Sequence, residues 1–275
     1  MPGSVYSVFF LACLRPKIIS RSNREKRGQM AKLHYEQYEF RRRGIADIWN
    51  AFMLDGASYD VRDIPFCPTT AKRIPRRLIS WPEAKRLHKK AIQRGDKGYH
   101  ESAFVHFYVD DVKFDGQRSS VWLFPWKAYG VIKHFDGVIT PDFSLCQDFP
   151  EPLKVFAIYR MRAFGYWLGN IGVEVINNVR WGTCETWDYC FAGIRKHSVV
   201  AVGSVASGLR QIKNRALFEE GLLEMVARLK PAAVIVYGSS KYHCFSKVRN
   251  MGVQIFQFDS ETSIAYAGRG RHEQV

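Results

Sequence analysis

Long apolar runs are missing from this 275-residue chain. Nothing approaches the about 20 consecutive apolar residues that a membrane helix requires, so no membrane partner is expected. The short apolar run at 5–14 is not preceded by a basic segment, which argues against a secretory signal. The six cysteines (Cys13, Cys67, Cys146, Cys184, Cys190, Cys244) form no C-x-x-C pair, and Cys184 and Cys190, the nearest two, lack zinc-knuckle spacing. Reduced thiols in a cytoplasmic protein are the expectation. No two histidines stand four apart as a helical metal pair, and no Ser-His-Asp order or nucleophile elbow can be read. Neither the P-loop nor the dinucleotide glycine spacing is present. Internal repeats and low-complexity blocks are absent too.

Acidic residues are scarce. Asp and Glu number 26 against 41 Lys and Arg, a formal +15. The first 100 residues hold most of the imbalance, net +12 from 21 basic and 9 acidic side chains, whereas residues 101–275 carry +3. A basic front joined to a near-neutral body suggests an acidic partner, nucleic acid before an anionic membrane, with plain solubility as the alternative. The basic groups are Arg41, Arg42 and Arg43, then Arg73, Arg76 and Arg77, then Lys85, Arg86, Lys89 and Lys90. A solvated face is the ordinary explanation of such runs.

What the chain does have is 47% apolar residues, enough for a real core, and a clear order to them. Residues 1–29 are expected to be disordered or an over-extended start, with Met30 competing with Met1 as the natural beginning. Residues 31–52 read as a helix broken near Gly44, with Ile45, Ile48, Trp49 and Phe52 at helical spacing. Residues 54–79 hold Gly56, Pro65, Pro68 and Pro75 and read as a loop or linker, closing a basic segment at 30–77. Ser80-Trp81-Pro82-Glu83 matches a capping box that opens a helix to about Arg94. A strand is expected at 104–109 and an aromatic turn with a short helix at 122–130.

From residue 135 short apolar strands alternate with helices. Strands at 138–139, 173–176, 199–202, 234–236 and 253–258 are separated by helices at 152–170, 215–230 and 241–251. The helix at 152–170 is apolar on nearly all sides and so mostly buried, which means that Arg160 and Arg162 need partners. Such alternation implies an α/β fold with a mainly parallel sheet of about five strands and flanking helices. A partial barrel is the architectural alternative. The core domain is expected over 78–262, with a frayed tail at 263–275.

A parallel sheet binds ligands at the carboxyl ends of its strands, and polar residues fall there. Asp142 follows the first of the five strands and can serve as base or metal ligand, or cap the next element. Arg180 can clamp a phosphate or carboxylate, or form a structural ion pair with Asp142 or Asp188. Asn178 can bond a ligand or a neighbouring turn. Gly203-Ser204 and Tyr237-Gly238-Ser239 offer small strand-end turns where backbone N–H groups approach a phosphate, though plain turn chemistry explains them as well. Lys241 adds a cation nearby. His197 and His243 stand alone, and Trp181 and Trp187 can stack a base or simply pack. Tyr108-Val109-Asp110-Asp111 repeats a polymerase metal-motif string, but the alternating β/α units do not suit a palm fold, and carboxylates capping the next element are expected instead.

Four segments in this order and spacing, Phe135-Asp136-Gly137-Val138-Ile139-Thr140-Pro141-Asp142-Phe143-Ser144-Leu145, Asn178-Val179-Arg180-Trp181-Gly182, Val199-Val200-Ala201-Val202-Gly203 and Val234-Ile235-Val236-Tyr237-Gly238-Ser239, resemble the uncharacterised bacterial and phage family catalogued as domain of unknown function 4417. His106-Phe107-Tyr108-Val109-Asp110-Asp111 is similar to that family's approach to its core. The resemblance covers roughly 78–260 and implies a protein of a phage or mobile element. It assigns no activity and no catalytic residue.

Three functions follow as expectations. The first is a nucleic-acid-associated protein whose basic front meets the phosphate backbone and whose strand ends hold a phosphate or nucleotide, with Asp142 and Arg180 as the reactive pair. A divalent cation is admissible there, but no metal ligand set can be named. The second is an enzyme acting on a small nucleotide or phosphate ester. The third is a non-catalytic protein-interaction module. Oligomeric state is not legible.

Overall fold

The computed structural model describes residues 50–205, 207–209 and 211–264. The expected helix at 31–52 falls almost wholly outside the described residues, as do Arg41, Arg42 and Arg43 and most of the tail. The chain divides into the units Met1–Phe52 and Met53–Val275, and the second carries the architecture.

Seven strands form one all-parallel sheet in sequential order: β1 (Leu78–Ser80), β2 (Glu101–His106), β3 (Phe135–Ile139), β4 (Glu174–Asn178), β5 (Val199–Gly203), β6 (Ala233–Tyr237) and β7 (Gln254–Phe258). A helix occupies every crossover: α1 (Trp81–Gln93), α2 (Pro125–Ile132), α3 (Glu151–Asn170), α4 (Trp187–Cys190), α5 (Ile212–Leu229) and α6 (His243–Asn250). The expectation of about five strands is therefore corrected to seven. β2 pairs with β3, and β1 with β2, so the residues that precede the obvious alternation belong to the same sheet.

The sheet is curled. The ring of Tyr108, two residues past β2, stacks on Tyr237 at the end of β6 with centroids 5.1 Å apart and planes 11° apart. His106 lies 4.2 Å from the same ring. Four strand spacings of about 4.8 Å would hold β2 and β6 roughly 19 Å apart in a flat sheet. Contact between their end residues requires the sheet to bend into a half-barrel. Among the described residues no pairing joins β7 back to β1.

The concave face is dry. Phe104, Ile139, Ile176, Ala201 and Ile235, one from each of β2 to β6, form a buried cluster, with Tyr108, Leu78, Phe256 and Phe258 packed against it. Ala201 is the smallest member of the cluster, and this side-chain layer fills the interior as a packed core rather than a pore. On the outer side α3 buries nine residues, including Arg162, whose Nε, Nη1 and Nη2 donate to the carbonyls of Ala192, Asn178 and Cys190, each at 3.0 Å. Arg160 pairs with Asp115 at 2.6 Å and lies over Phe143. Arg162 thus finds the partners that burial demands, whereas Arg160 keeps its buried Nε without a hydrogen bond among the described residues.

The segment that precedes β1 is tied to the sheet. Thr70 N–H donates to the Val175 carbonyl at 2.9 Å, and Asn177 Nδ2 donates to the Cys67 carbonyl at 2.7 Å. Ser80 is the N-cap of α1, but its side chain makes no capping bond, and Glu83 is engaged by Arg86 instead of reaching back. No helix among the described residues is long and apolar enough to cross a membrane.

Candidate functional site

The carboxyl ends of β2 to β6 converge on one polar chain of contacts. Asn178, the last residue of β4, is buried and fully engaged. Its N–H donates to Thr140 Oγ1 at 2.8 Å, its carbonyl accepts from Arg162, and its Nδ2 donates to Asp142 Oδ1 at 2.8 Å. Its Oδ1 accepts from the Tyr108 hydroxyl at 3.0 Å. Burial, with the Asp142 charge nearby, raises the Tyr108 phenol well above its usual range, so it remains a neutral donor.

Asp142 is 8% exposed, and its second oxygen, Oδ2, accepts from Arg180 Nη1 at 2.7 Å. Arg180 sits two residues past β4, with a side chain 25% exposed. The Asp142 charge outweighs burial and holds the guanidinium protonated more firmly than in water. Asp188 is not its partner. That carboxylate pairs with Arg62 and Arg228 instead. Beneath the rim Arg162, depressed by burial to about 10, adds a positive charge with no carboxylate partner among the described residues.

A cavity of about 290 Å³ opens beside this pair. Arg180, Asp142, Ser207 and Asn214 give it polar walls, and Trp181 and Phe218 give it apolar ones. Trp181 packs 5.0 Å from Phe218, so its ring belongs to the core as well as to the cavity wall. Gly203 ends β5 at the cavity floor. A Cβ there would lie 2.8 Å from the Tyr108 ring, so the curl requires glycine at this position.

The remaining strand-end residues make hydrogen bonds within the fold. Ser204 N–H donates to the Tyr237 carbonyl at 2.9 Å, and its hydroxyl lies 3.3 Å from the same oxygen. Gly238 has φ +108°, and its N–H donates to the Phe258 carbonyl at 2.8 Å. Ser239 Oγ accepts from Lys241 N–H at 3.3 Å. None of Ser204, Tyr237, Gly238 and Ser239 lines the cavity, whereas Asp142, Arg180 and Gly203 do, and Asn178 lies one bond behind.

A model of the family described as Domain of unknown function (DUF4417) matches residues 58–259. The chain belongs to this family. The chain is 31% identical over 202 residues to the "Gene 1 protein" of Mycobacterium phage D29, covering 72% of this chain and 68% of that protein. It is 35% identical over 204 residues to the "Gene 1 protein" of Mycobacterium phage L5, covering 73% and 81%. No solved structure matches. The matched span contains every strand of the half-barrel and every cavity residue named above, so the rim belongs to the DUF4417 domain itself.

The basic residues near the start of this domain are partly spent on internal pairs. Arg73 binds Asp136 at 3.1 Å, Arg77 binds Glu101 at 2.7 Å, and Arg86 binds Glu83. Lys85 donates to the Lys113 carbonyl at 3.2 Å. Exposed Arg76, Lys89 and Lys90 have no ion-pair partner among the described residues.

Asp111 does not cap the turn that follows it. Its carboxylate accepts from Ser144 N–H at 3.0 Å and Ser144 Oγ at 2.8 Å, fixing the loop that carries Asp142. Among the described residues no group of three or more His, Cys, Asp or Glu side chains converges to hold a metal ion. Sequence reasoning missed Tyr108 as the link between β2, β4 and β6. Its only signal was an aromatic residue near the end of the strand expected at 104–109.

Proposed function

We propose that this phage-type protein binds a phosphate-bearing ligand at the carboxyl ends of β3 to β5 and works in association with nucleic acid. One observation carries the reading. Arg180 lines the cavity while a single guanidinium nitrogen, Nη1, is engaged by Asp142. A guanidinium presents five donors in a planar fork, so the rest are free to take two phosphate oxygens together. Asp142 then orients the fork, and Asn178 and Tyr108 orient Asp142. The Trp181 and Phe218 wall suits the ring of a base. The +12 of the first 100 residues supports contact with a polyanion.

In this reading Asp142 is a positioning residue rather than a base or metal ligand. Each of its oxygens already accepts a hydrogen bond, and the guanidinium compensates its charge. The small-phosphate enzyme and the interaction module remain the alternatives.

Calorimetric titration with nucleoside 5′-monophosphates and inorganic phosphate tests the proposal. Saturable binding is expected, weakened at least about tenfold by Arg180→Ala, since hydrogen bonds to charged groups contribute about 1.5–3 kcal/mol each. Equal binding by protein and variant, or none by either, refutes it.

A further inference from the structure

A second cavity of about 220 Å³ opens beside the first, lined in part by Leu209, Arg215, Glu219, Lys241, Tyr242 and His243. The two share a wall. Along the first turns of α5, Asn214, Leu217 and Phe218 line the first cavity, while Arg215 and Glu219 line the second. Spacings of three and four put each set on one helical stripe, and the stripes are neighbours. The loop feeding α5 divides likewise, Ser207 and Gly208 to one side and Leu209 to the other. The turn between β6 and α6 forms the far wall.

The second cavity carries excess positive charge. Its one carboxylate, Glu219, is bound by Lys247 of α6, with His243 Nδ1 a further 3.7 Å away. Arg215 is held in place: Nε donates to the Leu209 carbonyl at 2.8 Å, and the guanidinium lies 5.6 Å from the centre of the Tyr242 ring. Among the described residues no carboxylate pairs with Arg215 or with exposed Lys241. Unpaired cations beside an aromatic ring are the chemistry with which proteins hold single-stranded nucleic acid.

We propose that the two cavities are one site for a single-stranded oligonucleotide, with one phosphate on Arg180 and a later one on Arg215 and Lys241. The proposal rests on the phosphate reading of Arg180 and names the ligand class, a phosphodiester polymer rather than a mononucleotide. Neighbouring stripes, about 100° apart on a helix about 10–12 Å across with its side chains, are separated by roughly 8–9 Å. That distance is about two to three nucleotides at roughly 3.4 Å for each stacked residue. A mononucleotide reaches one cavity, and a chain of about three or more reaches both.

The test is binding of 5′-phosphorylated oligothymidylates of one, two, four and six nucleotides, with oligouridylates as a second series, to the full chain and to Lys241→Glu. Lys241 is exposed and lies outside the first cavity. Affinity is expected to rise at least tenfold between one and four nucleotides. The variant is expected to abolish that rise and leave the mononucleotide within twofold. A gain in either series that Lys241→Glu abolishes supports the proposal and identifies the polymer. A dissociation constant independent of length overturns it, as does a length-dependent gain that survives Lys241→Glu. In both of those cases mononucleotide binding that Arg180→Ala removes leaves the first-cavity reading standing. If neither mononucleotide nor oligomer binds, both fall.

Discussion

Asp142→Ala removes the carboxylate that pairs with Arg180 at 2.7 Å and also deprives the buried Asn178 Nδ2 of its acceptor. An orphaned buried donor costs about 1–3 kcal/mol. Breaking a fully buried ion pair by removing one partner costs about 3–5 kcal/mol. Arg180 is a quarter exposed and regains some water, so the lower part of that range applies. Together the losses are expected to destabilise the fold by about 4–6 kcal/mol, a large share of the 5–15 kcal/mol that holds a typical domain together. Arg180→Ala should cost less, because Asn178 still satisfies one Asp142 oxygen. The double variant should then fall short of the sum of the singles by about 2 kcal/mol, since the second substitution removes a charge already left without its partner. Urea unfolding followed by the fluorescence of the seven tryptophans measures all four proteins, with unchanged m values as the condition for comparison. Additivity within about 0.5 kcal/mol, or an Asp142→Ala cost below about 1 kcal/mol, would refute the coupled pair as the organising element of the rim.

Two further outcomes follow from neighbours of that pair. Burial depresses His106 to about 3, and its Nδ1 accepts the Tyr108 N–H at 3.2 Å, which requires a neutral ring. Below the unfolded value of about 6.5 the unfolded chain binds a proton that the native chain refuses, so stability falls as pH drops from about 6.5 towards 3, by about 2 kcal/mol at pH 5. His106→Gln should flatten that part of the stability profile between pH 7 and pH 5, and parallel profiles would contradict it. Gly203→Ala would bring a Cβ to 2.8 Å from a Tyr108 ring pinned by Asn178 and Tyr237. Overpacking of that kind costs about 1–3 kcal/mol, to be read as a lower urea midpoint, and an unchanged midpoint would count against the close approach.

Most strands legible in the sequence were those buried on both faces, although β7, exposed or half-buried along its length, was legible too. Val138 and Ile139, Val200 to Val202 and Val234 to Val236 are buried almost without interruption, which is how a parallel strand covered on both faces reads. β1 escaped because three residues, Leu78–Ser80, carry too little pattern to stand out after a Pro- and Arg-rich stretch. β2 was legible as a strand, but not as a member of this sheet, since register partners across α2 leave no local signal. Asp142, Asn178 and Arg180 were legible because each sits at or just past a strand end. The curl was legible only as the partial-barrel alternative, because it depends on Tyr108 meeting Tyr237 over the bare backbone of Gly203, a contact between residues up to 129 positions apart in the sequence. The chain's own hydrogen bonds to Ser204 and Gly238 were equally hidden, because a glycine-serine turn looks the same whether it holds a ligand or a neighbouring strand.

The central claim is that Arg180 presents its free donors to a phosphate in the first cavity. Amide chemical shifts of the ¹⁵N-labelled chain, followed during titration with a nucleoside 5′-monophosphate, test it most directly. The largest changes should fall on Gly182, Gly203, Ser207 and Gly208, all of which line that cavity, and should vanish in Arg180→Ala. Changes confined to other parts of the half-barrel, or changes at those four amides that persist without Arg180, would contradict it.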